Sequence, residues 1–215
     1  MNIKTVVFDL DGTLIDSKKD IAVATNNALS ELNLPTLPEE EIASFIGDGV
    51  EALIRRCLQE ENISRLGEVL RKYKKVYGDS CTVYTRLYPG VKETIEFLIN
   101  RGINVALATN KTVSISHKIL RYFEIEESFI SILGPEHVKN MKPDPDMIEI
   151  LLDMTKNRPE DLLFVGDSQI DVLCGRNAGI YTCAVTYGIG KLESVLEANP
   201  DFLITDLRKL ILLVS

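Results

Sequence analysis

The stretch TVVFDLDGTLID, residues 5–16, constrains the fold more than any other part of the sequence. Its apolar run VVF, at 6–8, is typical of a strand that is buried on both faces of a parallel sheet. Asp9 and Asp11 follow at once, and a spacing of two would point both to one face of a regular strand. Gly12 then allows a sharp turn. Ligands of such sheets bind at the carboxyl ends of the strands, so the pair predicts a functional site there.

Further β-branched apolar segments recur along the chain, and amphipathic helical patterns separate them. These segments are INVALATN at 103–110, FISILG at 129–134, DLLFVGD at 161–167, IYTCAV at 180–185 and DFLI at 201–204. Strands that alternate with helices predict an α/β fold. We expect a Rossmann-like parallel sheet with helices on both faces.

Residues 16–86 interrupt this alternation with three or four amphipathic helical stretches and no convincing strand. Pro89 and Gly90 follow, and this pair is typical of a turn or loop. We therefore predict an α/β core domain made of residues 1–15 and 87–215. An inserted all-helical subdomain would cover residues 16–86.

Composition excludes several classes of function. The net charge of -8 argues against nucleic acid, because binding the phosphate backbone needs clustered Lys and Arg. No apolar run approaches the roughly 20 residues of a membrane span. The four cysteines lie far apart without a CxxC pair, which argues against zinc or disulfides and favours a reducing compartment. We expect a cytoplasmic protein, monomeric or homodimeric, that acts on a small molecule and binds neither nucleic acid nor membrane.

Other polar residues fall where later strands end or helices begin. Thr109 and Asn110 end one strand, Asp167 ends another, Asp171 lies a helical turn later, and Lys142 precedes a helix. Taken singly, they have alternative interpretations as turn residues, helix caps or a solvated lysine. Taken together, they predict one crevice of converging carboxylates, which repel one another unless a cation compensates. Mg²⁺ with a substrate phosphate fits this chemistry.

Four motifs, in order, resemble those of the haloacid dehalogenase superfamily of phosphatases. They are DLDGT at 9–13, ATN at 108–110, KP at 142–143 and GDSQID at 166–171. The helical insert resembles the small C1 cap of that family. The resemblance covers nearly the whole chain and implies a Mg²⁺-dependent phosphatase.

The resemblance also implies roles for single residues. Asp9 would attack phosphorus to give an aspartyl-phosphate, and Asp11 would protonate the leaving oxygen and then take a proton from water. Thr109 and Asn110 would hold phosphoryl oxygens through hydroxyl and amide donors. Lys142 would neutralise charge on the nucleophile and the phosphoryl group.

The same resemblance implies a metal site. Asp9, Asp167 and the backbone carbonyl of Asp11 would bind Mg²⁺, and Asp171 would orient Lys142 or a metal-bound water. Dehalogenases of the family carry another residue at the position of Asp11, because attack at carbon needs no acid for a halide. Asp11 therefore favours a phosphatase.

Three further segments resemble the phosphoglycolate phosphatase subgroup of the family. They are FIGDGVEAL at 45–53, TNK at 109–111 and TYGIG at 186–190. Gly47 and Gly49 lie at the start of a predicted helix, where exposed N–H groups and the helix dipole favour an anion. We predict that this loop binds the carboxylate of 2-phosphoglycolate, which is hydrolysed to glycolate and phosphate. Alternatively, the glycines only permit the turn and Asp48 caps the helix.

Other functions fit parts of the pattern. A β-phosphoglucomutase-like phosphotransferase or a pyrophosphatase would share the motifs, and a non-catalytic phosphorylatable signalling domain also carries aspartates at strand ends. The large helical insert argues against the signalling domain, since only an enzyme needs to close over a substrate. Arg55 and Arg56 lie outside the apolar face of their helix, so we expect them to face solvent and not to bind the substrate. The sequence does not decide whether Lys111 contacts the substrate.

Overall fold

The computed structural model describes residues 2–214, and these form two compact units. One unit contains the residues up to Ile15 and those from Leu87 onward. The other spans Asp16–Arg86, the range in which the sequence predicts a helical insert. In the described range, every helix is too short or too polar to cross a membrane.

The strands, in chain order, are β1 (Thr5–Phe8), β2 (Ile15–Asp16), β3 (Arg86–Leu87), β4 (Asn104–Ala108), β5 (Ser131–Leu133), β6 (Leu162–Gly166), β7 (Tyr181–Val185) and β8 (Phe202–Ile204). Among the described residues, six of them form one parallel sheet in the order β5-β4-β1-β6-β7-β8. The short strands β2 and β3 pair with each other where the chain leaves and re-enters the first unit. The predicted Rossmann-like α/β fold is confirmed.

The helices are α1 (Lys18–Ser30), α2 (Glu39–Ala43), α3 (Val50–Cys57), α4 (Leu66–Ser80), α5 (Val91–Asn100), α6 (Val113–Tyr122), α7 (Asp146–Thr155), α8 (Gln169–Asn177), α9 (Leu192–Glu197) and α10 (Leu210–Val214). Helices α1 to α4 belong to the helical unit, and the others belong to the unit that contains the sheet.

The core of the first unit explains why its strands are apolar throughout. All residues of β1 are buried, and because neighbouring side chains point to opposite faces, both faces of the sheet are covered. On one face, Val7, Ala106 and Phe164 pack with Met147 and Leu151 of α7. Burying a side chain of this size contributes about 1.5–3 kcal/mol. The polar residues that can contact a ligand therefore lie at the ends of the strands.

The first strand is shorter than the sequence suggests. Strand β1 ends at Phe8, and Asp9 already lies outside it. The chain then turns at Gly12, whose φ of 87° lies in the left-handed region that favours glycine. Asp9 and Asp11 therefore do not share one face of a regular strand. The turn sets the direction of each side chain separately, which corrects the argument from spacing.

The helical unit has an apolar interior of its own and a buried carboxylate at its edge. Ile21, Ala24 and Ala28 form the buried face of α1, as their spacing predicts. On the same helix Asp20 is only 2% exposed. Its carboxylate accepts hydrogen bonds from the backbone N–H groups of Tyr84 and Thr85 and from the Thr85 hydroxyl, at 2.7–3.0 Å. Asp20 therefore ties the last residues of this unit to α1.

We predict that Asp20→Ala destabilises the protein by about 2–3 kcal/mol, because it leaves buried donors without an acceptor. Urea denaturation followed by circular dichroism measures this change. Asp79→Ala is the matched control, since Asp79 is an exposed aspartate of the same unit, and it should change stability by less than about 0.5 kcal/mol. Equal stability of the two variants would contradict the role of Asp20.

Candidate active site

The strand order brings the predicted residues to one edge of the sheet. Strand β1 lies between β4 and β6, so the strand order reverses beside it. Such a reversal leaves a crevice at the carboxyl ends of the strands. Asp9 follows β1, Thr109 follows β4 and Asp167 follows β6. The topology thus gathers residues that are far apart in the chain.

Lys142 forms the central contact of this edge. Its Nζ donates to Oδ1 of Asp9 at 2.7 Å and to Oδ1 of Asp171 at 2.6 Å. The lysine side chain is 1% exposed, so the alternative of a solvated lysine is wrong. Burial alone would lower the pKa of Lys142, but the charges of Asp171 and Asp9 outweigh burial and raise it above its usual value. The ammonium group therefore stays charged.

Asp171 links this contact to the start of α8. Its Oδ2 accepts from the Ser168 hydroxyl at 2.5 Å and from the Ser168 backbone N–H at 3.0 Å, as in a capping box. Ser168, and not Asp167, is the N-cap residue, so the alternative of Asp167 as a helix cap is wrong. One oxygen of Asp171 holds the helix start and the other orients Lys142.

The geometry of three buried aspartates fits a divalent cation. Asp9, Asp167 and Asp171 each offer a carboxylate oxygen, and these oxygens lie within 4.8 Å of one another. Burial raises the pKa of Asp9 and of Asp167, and the charge of Asp171 raises both further, while Lys142 opposes the rise at Asp9. Three carboxylates and one ammonium carry a formal net charge of -2. A hard divalent cation with oxygen ligands would neutralise that charge.

Asp11 has a different partner. Both of its carboxylate oxygens accept from Nζ of Lys111, at 2.9 and 2.7 Å. The two side chains are 13% and 8% exposed, so the pair is largely buried. The sequence interpretation left the role of Lys111 open. The available signal was its position three residues after the end of β4, within TNK.

The side chain of Asn110 contacts the backbone of Lys142. Its Nδ2 donates to the Lys142 carbonyl at 3.1 Å, and its Oδ1 accepts from the Lys142 N–H at 3.1 Å. This contact positions the backbone of Lys142, and the expected donation from Asn110 to a phosphoryl oxygen stays a prediction. Thr109 accepts the Lys111 N–H at 3.2 Å, so its hydroxyl hydrogen can still donate to a ligand.

Gly47 and Gly49 lie in the helical unit. Gly49 is the N-cap residue of α3 with a φ of 86°, and Gly47 has a φ of 128°. Asp48 pairs with the side chain of Arg56 and makes no capping hydrogen bond to α3 over the described residues, so the alternative of Asp48 as a cap is wrong. Arg55 and Arg56 are exposed, as their positions on the helix indicate.

Comparisons with known proteins agree with this geometry. The family model of the haloacid dehalogenase-like hydrolases matches residues 6–185, a span that contains all four motifs. The chain belongs to this family. A crystal structure of a predicted phosphoglycolate phosphatase from Haemophilus somnus 129pt superposes with a TM-score of 0.92 at 32% identity and covers 100% of this chain and 99% of its own.

Curated relatives extend the similarity along the whole length of this hydrolase. The phosphoglycolate phosphatase of Vibrio parahaemolyticus is 36% identical over 221 residues, which cover 100% of this chain and 97% of the relative. That of Haemophilus influenzae is 36% identical over 216 residues, covering 97% and 96%. The chain is therefore a phosphoric monoester hydrolase of the haloacid dehalogenase-like family.

We predict that Asn110→Ala lowers kcat about 100-fold, since Lys142 loses the contacts that fix its backbone and small displacements of catalytic groups are costly. Hydrolysis of para-nitrophenyl phosphate measures the effect. Asn177→Ala is the control, because that exposed amide makes a similar bond to the neighbouring Pro143 carbonyl at 3.0 Å. Retention of more than half of the wild-type kcat by Asn110→Ala would contradict the positioning role.

Proposed function

We propose that this hydrolase is a Mg²⁺-dependent phosphatase that converts 2-phosphoglycolate to glycolate and phosphate through an aspartyl-phosphate on Asp9. The observation that carries the proposal is the buried group of Asp9, Asp167, Asp171 and Lys142, with its formal net charge of -2. The curated relatives named phosphoglycolate phosphatase support the choice of substrate.

In the first step, a carboxylate oxygen of Asp9 forms a bond to phosphorus while the bond from phosphorus to the ester oxygen breaks. Lys142 holds the Asp9 carboxylate through Oδ1 and favours its ionised form. Asp11 gives a proton to the leaving oxygen. Since Lys111 binds both oxygens of Asp11, at least one of these hydrogen bonds has to be released before Asp11 can act as an acid.

In the second step, Asp11 takes a proton from a water molecule, which attacks phosphorus and breaks its bond to Asp9. Phosphate leaves, and the Asp9 carboxylate is restored. Asp9, Asp167 and the Asp11 carbonyl would hold Mg²⁺, which would offset the charge of the phosphoryl group. The Thr109 hydroxyl donates to a phosphoryl oxygen, and Lys142 offsets the negative charge of Asp9 and of the phosphoryl group.

The helical unit supplies substrate selection in this proposal, acting as the cap of the family. The loop with Gly47 and Gly49 binds the substrate carboxylate through N–H groups at the start of α3. The pairing of Asp48 with Arg56 supports this role, because it offsets the negative charge that would otherwise repel an anion. A substrate with a carboxylate a few bonds from its phosphate suits such a loop.

Replacing the nucleophile tests the mechanism. Asp9→Asn should keep the fold but lose kcat by several orders of magnitude, because an amide is a poor nucleophile toward phosphorus. Circular dichroism checks the fold, and phosphate release checks turnover with and without Mg²⁺. A variant that retains more than about a tenth of wild-type turnover, or full wild-type activity in excess chelator, would exclude the proposed mechanism.

Substrate choice is tested by a bulky residue in the loop. Gly47→Leu should lower kcat/KM for 2-phosphoglycolate much more than for para-nitrophenyl phosphate, since only the first substrate carries a carboxylate for this loop. Val83→Leu is a control substitution at an exposed apolar position of the same unit. Equal losses on both substrates, or a preference of the wild type for a hexose phosphate, would favour the mutase-like alternative.

A further inference from the structure

The segment that follows β7 packs directly against Asp167. Residues 187–190, here called the 187–190 loop, bring two backbone N–H groups to one oxygen of this side chain. Ile189 donates to Oδ2 of Asp167 at 2.6 Å and Gly190 donates to the same oxygen at 2.9 Å. The loop therefore fixes the orientation of a carboxylate that is 3% exposed.

Two glycines make this approach possible. A Cβ atom on Gly188 would lie 2.3 Å from Cβ of Asp167, and one on Gly190 would lie 2.2 Å from the Asp167 carbonyl oxygen. These atoms belong to the backbone or lie next to it, so they cannot swing away. Neither glycine has a positive φ. Space next to Asp167, and not an unusual backbone conformation, is what requires glycine here.

Tyr187, the first residue of the 187–190 loop, makes two further contacts. Its hydroxyl donates to the carbonyl of Thr13 at 2.9 Å, and its ring packs against Tyr88 with a centroid distance of 4.6 Å. The Thr13 hydroxyl lies 3.4 Å from Oδ1 of Asp167, to which it donates. The loop is thus tied to the turn that follows Asp9 as well as to Asp167.

We propose that the 187–190 loop is a positioning element for the cation site, which binds Oδ2 of Asp167 and thereby presents Oδ1 to the metal. This inference rests on the proposed Mg²⁺ site. Without the two N–H donors, the carboxylate would rotate, and binding a cation would have to restore its orientation. Groups that orient a metal ligand typically contribute about 10- to 100-fold to metal affinity.

The test compares Mg²⁺ affinities of folded variants by isothermal titration calorimetry. Gly188→Ala and Gly190→Ala displace the loop from Asp167. Both should bind Mg²⁺ about 10- to 100-fold more weakly, while kcat recovers toward the wild-type value at saturating Mg²⁺. Gly78→Ala in α4 is the matched control, since a Cβ there meets no atom within 4 Å, and its affinity should equal that of the wild type.

Tyr187→Phe removes only the anchoring hydroxyl and adds no atoms, so it decides the question if the alanine variants do not fold. We expect Mg²⁺ affinity to fall about 10-fold, at the lower end of such effects. Wild-type affinity in every folded variant would overturn the role of the loop while leaving the metal site intact. Failure of the wild type to bind Mg²⁺ would overturn the proposed metal site, and this inference with it.

Discussion

The ion pairs of Lys142 with two buried aspartates are the interaction on which the functional edge of the sheet depends. Removing an ion from water costs several kcal/mol, and neighbouring carboxylates add repulsion to that cost. Lys142 offsets both through Asp9 and Asp171. The lysine is itself fixed, because Asn110 binds its backbone and Ser168 holds the far oxygen of Asp171. Three separate chain segments are therefore locked around one ammonium group.

The sheet explains why these segments meet. A strand that is buried on both faces leaves little room for polar side chains along its length, so its chemistry is confined to its ends. Strand β1 lies between β4 and β6, and the three carboxyl ends point to the same edge. The residues that follow these strands become neighbours although they are far apart in the chain. The strand order of the sheet therefore determines both the buried core and the position of the candidate site.

Much of this arrangement could be predicted from the sequence, because it depends on local patterns. Continuous apolar runs identify the strands, and the polar residues after them identify the edge at which they meet. The pairing within the site could not be derived from spacing, and only the family resemblance implied that Lys142 lies beside Asp9 and Asp171. Lys111 follows a strand and Lys142 precedes a helix. Their positions in the sequence do not decide that Lys111 binds Asp11 while Lys142 binds Asp9. The amide of Asn110 suits a phosphate or a backbone, and the sequence does not indicate that it contacts the backbone of Lys142.

The separate lysine partners give the carboxylates of Asp9 and Asp11 different electrostatic surroundings. Asp11 and Lys111 form a pair that is balanced in charge and slightly open to solvent, with 13% and 8% of their side chains exposed. Asp9 shares Lys142 with Asp171 and lies near Asp167, so its surroundings keep an excess of negative charge. We therefore expect a divalent cation to be attracted to the carboxylate of Asp9 more than to that of Asp11. That difference suits Asp9 to a nucleophile held beside a metal, and it suits Asp11 to a group that exchanges protons with the substrate and water.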